Sequence, residues 1–126
     1  MRYLMALAVA ATSPSALAQT NEIAQVRELL LRQADVPDSL YRVVFETLDI
    51  TAGKVARHSH PGPTFVYVLE GSFTLLLDGQ PPKTFRAGDS FLEPAGLPHE
   101  GFSDVPSKIL VFFVAPKDKP LVSPAK

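Results

Sequence analysis

The sequence predicts an all-β protein, an antiparallel sandwich or barrel of short strands, from three observations. Between Tyr41 and Ala115, runs of β-branched and aromatic residues are broken by turn residues at intervals of about 8–12 positions. Twelve prolines in 126 residues favour turns and edges over helices, because proline has no N–H to give to a helix or to a central ladder. Asp78-Gly79 is the strongest hairpin signal in the chain, since such a pair tolerates the positive φ of a tight two-residue turn.

The elements follow in order. Residues 1–18 read as a cleavable export signal: Arg2 supplies a short positive region, Tyr3 to Ala11 an apolar stretch, and Ala16-Leu17-Ala18 an A-x-A cleavage site. The apolar stretch is shorter than the ~20 residues needed to span a bilayer. Residues 19–40 form a helix and linker, with Thr20 or Asn21 as cap, Ile23, Val26 and Leu30 at helical spacing, and Pro37 as terminator. Residues 41–116 carry about nine short strands. Of these, Phe65 to Leu69 and Ile109 to Val114 are apolar on both faces, as expected where one face lines an interior and the other meets a further layer or subunit. Residues 117–126, rich in Pro and Lys, form a mobile tail.

Composition excludes several functions. With no cysteine, the chain has neither a disulfide, a thiolate nucleophile nor a Cys-ligated metal. A formal net charge of −1, with basic residues scattered singly, offers no stripe for nucleic acid, and no membrane attachment is expected once the signal is removed.

The three histidines are the chemical signal. His58 and His60 stand two apart in a predicted strand, so alternation places both imidazoles on one face. His99 follows the Pro94-Ala95-Gly96 turn on a separate strand, where a barrel can bring it opposite the pair. Imidazole suits Fe, Cu, Ni and Zn.

The segment from Gly53 through His58-Ser59-His60 and Thr64 to Gly71 resembles the first signature of the cupin superfamily. Gly88, Pro94-Ala95-Gly96, His99 and Ser103 resemble the second. The resemblance implies a double-stranded β-helix, the cupin jelly-roll barrel, with His58, His60 and His99 as metal ligands. It also implies a homodimer built through sheet-on-sheet contacts. The first glycine stands one position closer to the histidines than the family pattern asks, and Ser103 replaces an Asn.

Thr64 occupies the position of the family's metal-binding Glu. Neither Glu70 nor Glu100 is placed to substitute, so a neutral three-histidine shell is expected around one divalent transition metal, iron first, with Zn, Mn, Ni or Cu as alternatives. Three functions then compete: a dioxygenase-like oxidoreductase acting on a small organic molecule, another metal-dependent enzyme (hydrolase, lyase or isomerase), and a non-catalytic barrel that binds a small ligand. Alternation from Thr64 adds Val66 and Val68 to a substrate pocket completed by Phe91, Ser103 and Phe112. An export signal places the mature protein in the periplasm or outside the cell.

Overall fold

The computed structural model describes residues 22–126, so the expected export signal lies outside the described residues. Ten strands are found: β1 Val26–Asp35, β2 Tyr41–Ile50, β3 Gly53–Ser59, β4 Thr64–Glu70, β5 Ser72–Leu77, β6 Lys83–Arg86, β7 Ser90–Glu93, β8 His99–Ser103, β9 Ser107–Pro116 and β10 Ser123–Pro124. They build two five-stranded sheets, ordered β1-β2-β9-β4-β7 and β10-β3-β8-β5-β6. Every pairing between these strands is antiparallel. This is the two-sheet jelly-roll arrangement.

No helix occurs among the described residues. The segment expected to be helical is β1, laid along β2 from Val26↔Ile50 to Asp35↔Arg42, with a bulge between Glu28 and Leu30. Glu, Leu, Arg and Gln favour helix only weakly, by tenths of a kcal/mol per residue, and a full ladder with a central-sheet neighbour outweighs that preference. The bulge leaves Leu30 and Leu31 both half-buried, and Leu31 packs on the core. That stretch of consecutive leucines mimics a helical stripe in sequence.

The alternation of β4 and β9 sorts the two-sided apolar strands. Thr64, Val66 and Val68 face inward on β4, while Phe65, Tyr67 and Leu69 face outward. On β9 the inward set is Ile109, Val111, Phe113 and Ala115. Register then stacks residues of one face across the first sheet in rows: Val44, Phe113, Thr64 and Glu93 form one, and Glu46, Val111, Val66 and Phe91 the next. Behind them Phe91 stacks on Phe73 and Phe85, with ring centroids 5.9 and 4.4 Å apart.

The tail is also ordered into the fold. After Pro116 the chain turns back so that Ser123 and Pro124 pair with Ser59 and His58 on β3. The Pro61-Gly62-Pro63 turn is wedged against β9, where the Val114 N–H donates to the Pro63 carbonyl at 3.2 Å. A Cβ at Gly62 would collide with the Val114 carbonyl, so only glycine permits this approach.

Candidate metal centre

His58 is the penultimate residue of β3, His60 directly follows that strand, and His99 opens β8 beside β3, with His58 and His99 paired across the ladder. The turn before His99 is tied to the other motif, because the Gly96 N–H donates to the His60 carbonyl at 2.8 Å. Gly96 has φ 71°, a conformation that glycine adopts without a Cβ penalty. The three rings lie with centroids 4.4 to 5.0 Å apart, so the structure brings together all three predicted ligands.

A fourth group joins them. Glu93, at the end of β7, points inward from the opposite sheet, with one carboxylate oxygen 2.9 Å from His60 Nε2 and 3.2 Å from His99 Nε2. The donor atoms of His58, His60, Glu93 and His99 all lie within 4.8 Å of one another. The expected neutral shell is therefore corrected. Thr64 and Glu93 are direct cross-strand partners on the same inward face, so a carboxylate is supplied from the adjacent strand. Thr64 itself is fully buried, its hydroxyl bonded to the Gly62 carbonyl at 3.3 Å.

The sequence carried a signal for Glu93. Phe91 is expected on the interior wall, and a strand that turns residue 91 inward also turns residue 93 inward.

The ring orientations suit a cation. The Nδ1 atoms of His58, His60 and His99 lie 2.6, 2.7 and 3.1 Å from the carbonyls of Ala56, Leu121 and Leu97. A carbonyl accepts only, so each Nδ1 carries the proton and each Nε2 is left as the coordinating atom. His99 Nε2 is buried and, despite its nearness to Glu93, has no hydrogen bond of acceptable geometry. An unpaired nitrogen there is costly unless a ligand takes its lone pair. With metal–donor distances of about 2.1 Å, neighbouring donors at right angles sit ~3.0 Å apart, close to the separations between Glu93 and the two histidines. The four residues fit one divalent transition metal.

Electrostatics agree. Burial works to raise the Glu93 carboxyl, yet the imidazoles of His60 and His99, both close against its carboxylate, outweigh this and hold it at about 2. Burial would depress His99, but the Glu93 carboxylate reverses this and raises its pKa. Burial lowers that of His58, helped by the neighbouring rings.

Beside the cluster lies a cavity of about 480 Å³ whose lining includes His58, His60 and Glu93 together with Val66, Phe73, Val111 and Phe113. Of the six residues predicted for the pocket, Val66 lines this cavity. Val68 and Phe91 belong to the packed core, and Ser103 is buried on β8, four residues from His99. Phe112 is corrected to the outer face, where it pairs with Phe45 and Phe65, and Phe113 takes its place inside with its ring 5.2 Å from that of His60.

Comparison with known proteins agrees with this picture. The cupin domain profile matches residues 44–114, and the chain belongs to that family. It is 36% identical over 42 residues to the dimethylsulfoniopropionate lyase DddQ of Ruegeria pomeroyi, a stretch covering 33% of this chain and 21% of that protein. The match thus spans about a fifth of the relative's length. The crystal structure of the same lyase superposes with a TM-score of 0.59 at 25% identity, over 66% of this chain and 43% of that one. A cupin-2 domain protein from Shewanella frigidimarina gives 0.54 at 22% identity, covering 72% and 83% of the two chains. A cupin-2 barrel protein from Leptotrichia buccalis gives 0.56 at 24%, covering 72% and 40%. These last two show likeness of fold.

Proposed function

We propose that this protein is a metal-dependent cupin lyase acting on a small carboxylate, with His58, His60, Glu93 and His99 holding iron or another divalent transition metal. The observation that carries the metal is the convergence of three Nε2 atoms and one carboxylate oxygen, each ring pinned through its Nδ1. The similarity to a lyase supports the reaction class. When bound, the ion would supply Lewis acidity, polarising a carboxylate and making its neighbouring C–H more acidic. The chain's own part is to hold the donors rigidly and to enclose the reacting groups in apolar walls. Glu93 removes the argument for oxygenase chemistry that rested on a neutral shell.

The test is metal analysis of natively purified protein, followed by an elimination assay on dimethylsulfoniopropionate and related β-substituted carboxylates. One metal per chain with formation of a C=C bond supports the proposal. Absence of metal after reconstitution overturns it. Bound iron with oxygen consumption and no elimination would instead favour a dioxygenase.

Two further properties are proposed with it. The outer face of the first sheet exposes Phe65, Tyr67 and Leu92 beside Phe112, an apolar surface suited to pairing two copies; light scattering of the purified protein tests for the dimer. Residues 1–18 direct export to the periplasm or beyond; N-terminal sequencing of the protein recovered outside the cytoplasm tests for cleavage.

A further inference from the structure

The wall of the cavity carries a second acidic group with no part in the cluster. Glu46 sits on β2, between Leu31 of β1 and Val111 of β9, and lines the cavity with Leu48 and Ile50. It is half-buried, and among the described residues its carboxylate has neither an ion pair nor a side-chain hydrogen bond. Its pKa is raised, by burial first and by Glu28 second, against an opposing pull from His60. Glu46 and the cluster residues His58, His60 and Glu93 line the same cavity.

The charges of the cavity sort into two poles. A divalent ion together with Glu93 leaves about one net positive charge at the cluster. Arg57 also lines the cavity, but Asp78 accepts both terminal nitrogens of its guanidinium and neutralises it. Glu46 is thus the uncompensated negative charge on the wall formed by the first sheet. Val55, Val66, Phe73 and Val111 supply apolar lining in the same cavity. A ligand that presents an anion to the metal and a cation to Glu46 would satisfy both at once, whereas a purely anionic ligand would leave Glu46 unpaired in an apolar wall.

We infer that Glu46 is a specificity-determining residue that selects zwitterionic ligands, small carboxylates bearing an ammonium or sulfonium group a few atoms away. This rests on the cluster being a metal centre that takes the carboxylate end.

The test uses two probes of equal shape, 3-(trimethylammonio)propionate and 4,4-dimethylpentanoate, which differ by N⁺ against carbon. Their affinities are measured by calorimetry on zinc-loaded protein, where no turnover intervenes. The wild type is expected to prefer the zwitterion by about tenfold. Glu46→Gln is expected to bring the two to near parity while keeping its affinity for the uncharged-tail probe, which shows that the variant is folded. Equal affinities in the wild type, or a preference that survives in Glu46→Gln, would overturn the role of Glu46 and leave the metal-centre proposal standing. Binding of neither probe, or failure to hold zinc, would overturn both.

Discussion

The interior of this barrel is built two ways on neighbouring rows of one sheet face. In one row the strands turn Thr64 and Glu93 inward, and the other sheet answers with three imidazoles. In the next, the same strands turn Val66 and Phe91 inward, and the other sheet answers with Phe73 and, farther along, Phe85. The backbone ladder is common to both, so the difference lies wholly in side chains. The aromatic layer gains stability from area removed from water and needs no ligand. The polar row puts a carboxylate and two buried histidines where water does not compensate them, and is fully satisfied only by something that bonds Nε2. Apart from Glu46 at its β2 end, the aromatic row serves folding, and the other gives up stability for function.

The sharpest way to break this division is to truncate each side. His99→Ala is expected to abolish stoichiometric metal retention while leaving the fold intact, as read by metal analysis and circular dichroism. Retained metal would remove His99 from the shell. Phe91→Ala should do the reverse, costing about 3–5 kcal/mol of stability in denaturant titration while the folded fraction still binds metal. If instead Phe91→Ala loses metal at a temperature where it is folded, the two rows are not separable.

The carboxylate tests the polar row from within. Glu93→Gln, which removes a ligand, is expected to weaken metal affinity by at least the ~10–100-fold that loss of a ligand's outer-shell partner costs. Because Thr64 stands directly across from Glu93, adding Thr64→Glu to that variant should restore most of the affinity by returning a carboxylate to the same face. Failure of the double variant would show that the row on β7, and not the face alone, sets the geometry.

How far the sequence reveals this division depends on phase. Strand boundaries were legible from β4 to β9 because turn residues mark them. The histidines were legible because a His-x-His pair can share only one face of a strand. Phe112 and Phe113 could not be told apart, since Ile109 to Val114 is apolar throughout and carries no phase; only pairing with β2 and β4 fixes it. The helix expected before Pro37 is a strand because its preference was local while its partner, β2, is not. Glu93 was legible in principle from Phe91, but was eclipsed by the family's usual position at Thr64. The tail left least trace: Ser123 and Pro124 pair with β3, and nothing in their composition announces it.

That tail gives a smaller test of how the polar row is held. The Leu121 carbonyl fixes His60 through Nδ1 at 2.7 Å, so the segment acts through backbone and not through a side chain of its own. Deleting residues 121–126 is expected to free the His60 ring and lower metal affinity by about tenfold. Leu121→Ala, which keeps the carbonyl, is expected to change affinity little, and a large effect there would shift the role to the leucine's packing.

The smallest expected effect is the pH dependence of the metal-free protein. Glu93 has a folded pKa of about 2, below its ordinary 4.5, so its contribution to stability is present above 4.5 and is lost as pH falls from there toward 2. His99 is raised above 6.5, so its contribution is complete below 6.5 and disappears as pH rises through the folded pKa. His58, lowered by burial, has the opposite sign and offsets part of this near 6.5. Thermal unfolding without metal should therefore show a shallow maximum in mildly acidic solution. A metal competes with the protons on these rings, so its stabilising effect should grow with pH over the range where the bare protein weakens. Phe91 itself carries no titrating group, and Phe91→Ala should lower this whole curve without moving its maximum. A shifted maximum in that variant would show that the two rows are coupled.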